Sequence, residues 1–287
     1  MTERSERLVK RVLQVLSDGV AVHQPARLFA LFSGGDDSLT ATKLASLHAS
    51  FSGCIHLDTG TGVRATRDFV EATCQREGWP LEVYTAPAGE YERLVLEGYT
   101  TRDGRLHRGF PSGPKSHATM YWHLKQRQIQ LAIKQHKTTR RECIGFVTGI
   151  RTRESARRKR SKMGTRALFY RDPERSAVWF NPIRQWSKPD CLDYLTESGT
   201  PRNPVAVNCH RSGECLCGAL ANYAELGEIA FFYPEVGERY AQLQAEAQAR
   251  GLVDWQWAGG PKASRRQSPR SSLPLCTSCQ LGMWEDE

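Results

Sequence analysis

The stretch LFSGGDDS, residues 31–38, decides the fold. It follows directly on the apolar residues Leu28, Phe29 and Ala30, the pattern of a short buried strand. Ser33, Gly34 and Gly35 then make a turn, and Asp37-Ser38 open a helix-like segment, 39–48. Two glycines let the backbone turn sharply and bring its N–H groups close to a polyphosphate. The helix start adds orphan donors and the positive end of a dipole. The hydroxyls of Ser33 and Ser38 can donate to phosphate oxygens, Asp36 lies within the loop, and Asp37 can cap the helix or hold magnesium. The GxxxxGK[ST] spacing is absent, so this is not a Walker A loop. A ligand-free Gly-Gly turn is the plain alternative. Agreement of strand, turn and helix signals favours a ligand.

On both sides of this loop the pattern alternates as a parallel-sheet protein would. Residues 1–18 read as an amphipathic helix with Leu8, Val12, Leu13 and Leu16 on one face. Strands are expected at 27–32, 54–57, 81–84 and 143–148, and helices at 64–77, 116–136 and 186–198, the last capped by Ser187. Residues 90–113 read as a mobile loop or flap. Strand and helix at these spacings predict an α/β protein with a doubly wound, mostly parallel sheet over 1–200. Beyond Thr200, short helices surround a cysteine-rich segment, and 259–272 is a basic linker, so 201–287 is expected to be a small metal-binding region.

Composition sets the outer frame. The chain has 287 residues, 39% hydrophobic and 25% charged, enough for a full core. No run of 18 apolar residues exists and the N-terminus is polar, so a cytoplasmic protein without a membrane partner is expected. In that compartment nine cysteines argue for thiols or metal ligands rather than disulfides. A net charge of +9 favours an anionic partner.

Open parallel sheets bind ligands beyond the carboxyl ends of their strands. Besides the loop, two segments meet that rule. Asp58-Thr59-Gly60 follows the second strand, where Asp58 could receive an adenine amino group, a ribose hydroxyl or magnesium. Gly149-Ile-Arg-Thr-Arg-Glu-Ser-Ala-Arg157 follows the fourth, and Arg151, Arg153 and Arg157 can present forked donors to phosphate or sulfate. Seven of the twelve residues in 151–162 are basic, too dense for a solvated face balanced by acids.

Taken in order, SGGDDS at 33–38, DTG at 58–60, GIRTRES at 149–155 and NPIRQW at 181–186 resemble the phosphoadenosine phosphosulfate reductase branch of ATP-pyrophosphatase-like (PP-loop) proteins. The resemblance covers about 28–195 and implies an adenine nucleotide alpha hydrolase-like fold and a helix whose lysine approaches the nucleotide, with Lys125 the counterpart. The chain departs from the pattern twice. Asp36 fills a place often held by lysine. The reductases end in a Glu-Cys-Gly-Leu-His-type tail, whereas this sequence ends CTSCQLGMWEDE, so sulfonucleotide reduction is expected to be the lesser reading.

Cysteine forms the other constellation. Cys209, Cys215 and Cys217 lie in NCHRSGECLCG, and Cys276 and Cys279 form a CxxC. Four thiolates from two distant segments can close one tetrahedral site around zinc or an iron–sulfur cluster, and metal-free thiols are the third option. The resemblance implies a 4Fe–4S cluster. It further implies ATP, magnesium and cleavage of ATP to AMP and pyrophosphate, with Asp37, Ser38, Arg151 and Lys125 as catalytic candidates. Among such proteins the chain most resembles the ATP-pyrophosphatase component of DNA phosphorothioation systems. That likeness implies a nucleic-acid substrate, DNA rather than transfer RNA, with a cysteine desulfurase and other sulfur-modification subunits as partners. A nucleotide-regulated nucleic-acid-binding module without turnover is the reading from another class.

Overall fold

Residues 1–101, 103–152, 167–172 and 174–261 are described by the computed structural model of the protein. Helix α1 (Glu3–His23) starts at Thr2, whose side chain accepts from the Ser5 amide, and carries Glu3 and Glu6 in its positive first turn. It runs past the expected end at 18, and at Gly19 a Cβ would come within 2.4 Å of the Phe180 ring. The helix continues along the sheet by close approach there. Strand β1 (Arg27–Leu31) leads through the loop into α2 (Asp36–Ala45), then β2 (Phe51–Asp58), α3 (Arg64–Glu77) and β3 (Leu81–Thr85).

Segment 90–113, expected to be a mobile loop, carries secondary structure among its described residues. It holds α4 (Glu90–Glu97) and a small antiparallel pair, β4 (Tyr99–Thr100) with β5 (Leu106–His107). Tyr91, Leu94 and Val95 fall at helical spacing and are buried, so apolar burial outweighs the polar, glycine-rich composition. The long helix expected at 116–136 is three pieces: α5 (Gly113–Tyr121), a π-helical turn over Trp122–Gln126, and α6 (Arg127–His136).

Strand β6 (Ile144–Val147) follows, and then two strands that local pattern did not reveal, β7 (Phe169–Asp172) and β8 (Ala177–Phe180). The six-stranded sheet has the order β3-β2-β1-β6-β8-β7, parallel throughout except for the antiparallel edge strand β7. The expected α/β architecture with a mostly parallel, doubly wound sheet is therefore present. After β3 the chain crosses to the far side of β1, which makes the β1–β6 boundary the switch point where such sheets open a crevice.

Helix α7 (Lys188–Glu197) begins with a capping box between Ser187 and Asp190. It is followed by α8 (Pro204–Cys209), α9 (Ala224–Phe232) and α10 (Pro234–Ala249). One hydrophobic cluster joins Val63, Tyr91, Leu94, Phe110 and Leu124 to Cys209, Leu216, Tyr240 and Trp257. None of the helices among the described residues is long and apolar enough to cross a membrane.

Candidate nucleotide site

The loop between β1 and α2 is built by its own serines. Ser38 Oγ accepts from the Ser33 amide at 3.3 Å and from Ser33 Oγ at 3.0 Å, and donates to the Gly35 carbonyl at 2.9 Å. Gly34 sits at φ +78°, and a Cβ there would also meet Thr66 Cγ2 at 2.8 Å. Gly149, leaving β6, approaches the loop more tightly than Gly34 does its neighbours: a Cβ would lie 2.5 Å from the Ser38 amide nitrogen. Glycine at 149 thus lets the end of β6 press on the first turn of α2, at the switch point.

The two aspartates of that turn are bound to cations. Asp37 Oδ2 pairs with Arg151 Nε at 2.8 Å, and its Oδ1 is 3.3 Å from Lys188 Nζ. Asp36 accepts a fork from Arg202, Nε to Oδ1 at 2.9 Å and Nη2 to Oδ2 at 2.8 Å, and also takes Lys188 Nζ at 2.9 Å. Burial alone would raise the Asp36 carboxyl, but Arg202 and Lys188 outweigh it and hold it below the ordinary carboxylate range. The Lys188 ammonium, pulled down by burial, is in turn raised above its usual value by Asp37 and Asp36. Both Asp37 oxygens carry cations, so as arranged they do not fit a magnesium ion, and among the described residues no three His, Cys, Asp or Glu side chains converge on a metal position.

A polar cavity of about 370 Å³ opens at the carboxyl end of β2. His56, Asp58, Gly60, Thr66, Arg67 and Glu214 line it, and Thr66 is shared with the loop through its contact with Gly34. Asp58 accepts from the Gly60 amide and from Arg67 Nη1, each at 2.9 Å. Thr59 turns inward: it is 1% exposed and donates to the Glu214 carbonyl at 2.7 Å. Lys125, presented by the π-helical turn, donates to Glu214 Oε2 at 2.7 Å. Burial lowers that ammonium, yet Glu214 and the Cys215 thiol beside it raise it above its usual value. The lysine reaches the cavity wall through Glu214 rather than pointing at the glycine loop.

Segment 202–216 wraps the whole arrangement. Asn203 caps α8 by accepting from the Val205 amide, while its Nδ2 donates to the Gly34 carbonyl at 3.0 Å. Ser212 packs on Gly35, and its carbonyl accepts from Thr66 Oγ1 at 2.6 Å. Lys188, Arg202, Asn203 and Glu214 were not among the sequence candidates. Their local signals, Ser187-Lys188-Pro189-Asp190 and Arg202-Asn203-Pro204, read as helix starts, which they also are.

Two of the five candidate metal thiols are neighbours. The Cys215 thiol is lowered by a hydrogen bond from Cys217, against burial and with help from Lys125, while Cys217 is raised. Thr61 Oγ1 also donates to Cys215 Sγ at 3.8 Å. Cys209 is buried among different groups, with Glu228 and Arg211 nearby, and does not complete a metal-binding trio. The described residues therefore do not support the expected 4Fe–4S or zinc site. Buried aromatic donors hold this turn: Tyr240 Oη and Trp257 Nε1 both donate to the Leu216 carbonyl, and Tyr91 Oη to that of Cys217. Cys276 and Cys279, like Arg153 and Arg157, lie outside the described residues.

A family model described as "Phosphoadenosine phosphosulfate reductase domain" matches residues 27–212, well over half of the chain. No curated protein matches. Among solved structures, phosphoadenylyl-sulfate (PAPS) reductase from Candida auris, in a phosphate complex, is similar at 16% identity and a TM-score of 0.48, covering 72% of this chain and 92% of that one. FMN adenylyltransferase from Candida glabrata is similar at 10% identity in two complexes. With FAD and pyrophosphate the TM-score is 0.46, with FMN and an ATP analogue 0.45, and the chain covers 62% and 61% of those chains.

Proposed function

The chain belongs to the phosphoadenosine phosphosulfate reductase domain family, and on that premise we propose that it is an ATP pyrophosphatase that adenylates a nucleic-acid oxygen for sulfur incorporation. The observation that carries this reading is the loop itself. Gly34 and Gly35 lead into the positively polarised start of α2, with Arg151 and Lys188 on the aspartates beside them. A polyphosphate laid on that helix start meets donors, a helix dipole and cations, while the adjoining cavity at Asp58 has room for the nucleoside.

In this reading a nucleic-acid oxygen attacks the α-phosphorus of ATP and pyrophosphate leaves. The loop amides and the flanking cations stabilise the negative charge that grows on the departing group. The outer sulfur of a persulfide supplied by a cysteine desulfurase partner then displaces AMP, and a second thiol cleaves the resulting sulfur–sulfur bond, being oxidised to a disulfide as the sulfur stays on the acceptor. A backbone oxygen of DNA is the acceptor we favour, in keeping with the net charge of +9. The test is pyrophosphate release from ATP by the full-length chain, with and without DNA. Asp37→Ala should abolish that release while the thermal transition remains, since Asp37 holds Arg151 and Lys188 in place rather than filling the core. Full pyrophosphate release in the variant would remove the loop from the reaction.

A second reading, reduction of a sulfonucleotide, is favoured by one feature. Cys215 has a lowered thiol and sits beside Lys125 and Glu214, and Glu214 lines the nucleotide cavity. Sulfite release from phosphoadenosine phosphosulfate in the presence of a thiol reductant, without pyrophosphate release from ATP, would select it.

A further inference from the structure

Resting on the nucleotide reading of the loop, we propose that Lys188 is the cation that receives the outer phosphates of the bound nucleotide, leaving the Asp36 and Asp37 carboxylates to do so. The loop brings no side-chain positive charge of its own, because position 36 is an aspartate. Lys188 Nζ stands over the first turn of α2, 2.9 Å from Asp36 and 3.3 Å from Asp37. That turn is where the donors of the loop end and a phosphate chain would pass.

Charge and partnership single out Lys188 from the other two cations. Asp36 keeps both oxygens satisfied by the fork of Arg202, and Asp37 keeps Arg151, if the lysine departs. The two guanidiniums cancel the two carboxylates, so the ammonium is the surplus positive charge of the group. Arg151 has a side chain only 7% exposed, whereas that of Lys188 is 31% exposed on a flexible four-carbon stem. The start of α7 does not depend on it either, since Ser187 and Asp190 cap each other there. The arrangement stores a cation on carboxylates until a stronger anion arrives. It assigns to Lys188 a selectivity for nucleotides with outer phosphates over those with one.

The experiment measures equilibrium binding of a non-hydrolysable ATP analogue, pyrophosphate and AMP to the full chain, wild type and Lys188→Gln, with thermal unfolding as a check. The variant should bind the analogue and pyrophosphate about tenfold more weakly or worse, the scale of a lost charge-assisted hydrogen bond. AMP affinity should stay within about twofold. Lys188→Met keeps the length of the stem without the charge and carries the test if the Gln variant does not fold. Unchanged analogue binding, or equal weakening of analogue and AMP, overturns the assignment while leaving the nucleotide site standing. A wild-type chain that binds neither analogue nor pyrophosphate overturns both.

Discussion

Arg151 shows how one residue joins sheet and loop. It leaves the end of β6 beside Gly149 and meets Asp37 with its side chain almost fully buried. Replacing it with alanine should weaken binding of a phosphate-bearing nucleotide by ~1.5–3 kcal/mol, read by titration calorimetry. Unchanged affinity would give Arg151 a structural role alone. Asp36 makes a different prediction, in stability. Asp36→Asn takes the charge partner from Lys188 and Arg202 and should cost about 2 kcal/mol at neutral pH, moderated because both cations reach solvent. The folded carboxyl is held below its ordinary value of 3.8, so its contribution is fully present above that value. It is lost as pH falls through the lower folded value. Urea unfolding should therefore separate wild type and variant near neutrality and bring them together in strong acid. A gap that persists there would mean the lost stability is packing rather than charge.

At the scale of elements, the approach of β6 to α2 is the contact that shapes the site. Gly149→Ala puts a methyl group 2.5 Å from the Ser38 nitrogen, against backbone that has nowhere to move. Overpacking of this kind should destabilise by about 1–3 kcal/mol and displace the Ser33–Ser38 hydrogen bonds, lowering nucleotide affinity as well. A variant with native affinity would show that the loop tolerates a shifted β6. The π-helical turn belongs to the same scale. Residues 116–136 carry a helical pattern throughout, and nothing local marks where the turn widens; contacts of Lys125 with Glu214 and of His123 with Glu90 accompany it. Strands β7 (FYRD) and β8 (AVWF) were equally hidden: neither alternates apolar with polar residues, and neither runs into a glycine turn as β6 does.

Across the whole molecule, residues on the two sides of position 200 are interleaved. Asn203, Ser212 and Glu214 bond to Gly34, Thr66 and Thr59, and one apolar cluster runs from Val63 to Ala258. Unfolding should accordingly be a single transition, with amides near Leu216 and in β1 exchanging by the same global opening. Two separated thermal transitions would instead mark 201–287 as an independent unit.

What the sequence determined by itself is what short range can encode. Two glycines between an apolar run and a helix start fix the strand–turn–helix loop, and the alternation of strand and helix fixes a parallel sheet with its crevice at β1. Tertiary structure decided which charges stand around that loop. Lys188 and Arg202 are 152 and 166 positions from Asp36 and announce themselves locally only as parts of helix caps. It also decided how the cysteine turn is held, for the hydroxyls of Tyr91 and Tyr240 and the indole of Trp257 reach those carbonyls only after α4 and α10 have packed. An ion pair or buried hydrogen bond between distant segments depends on the path of the folded chain, and no local period or spacing carries that information.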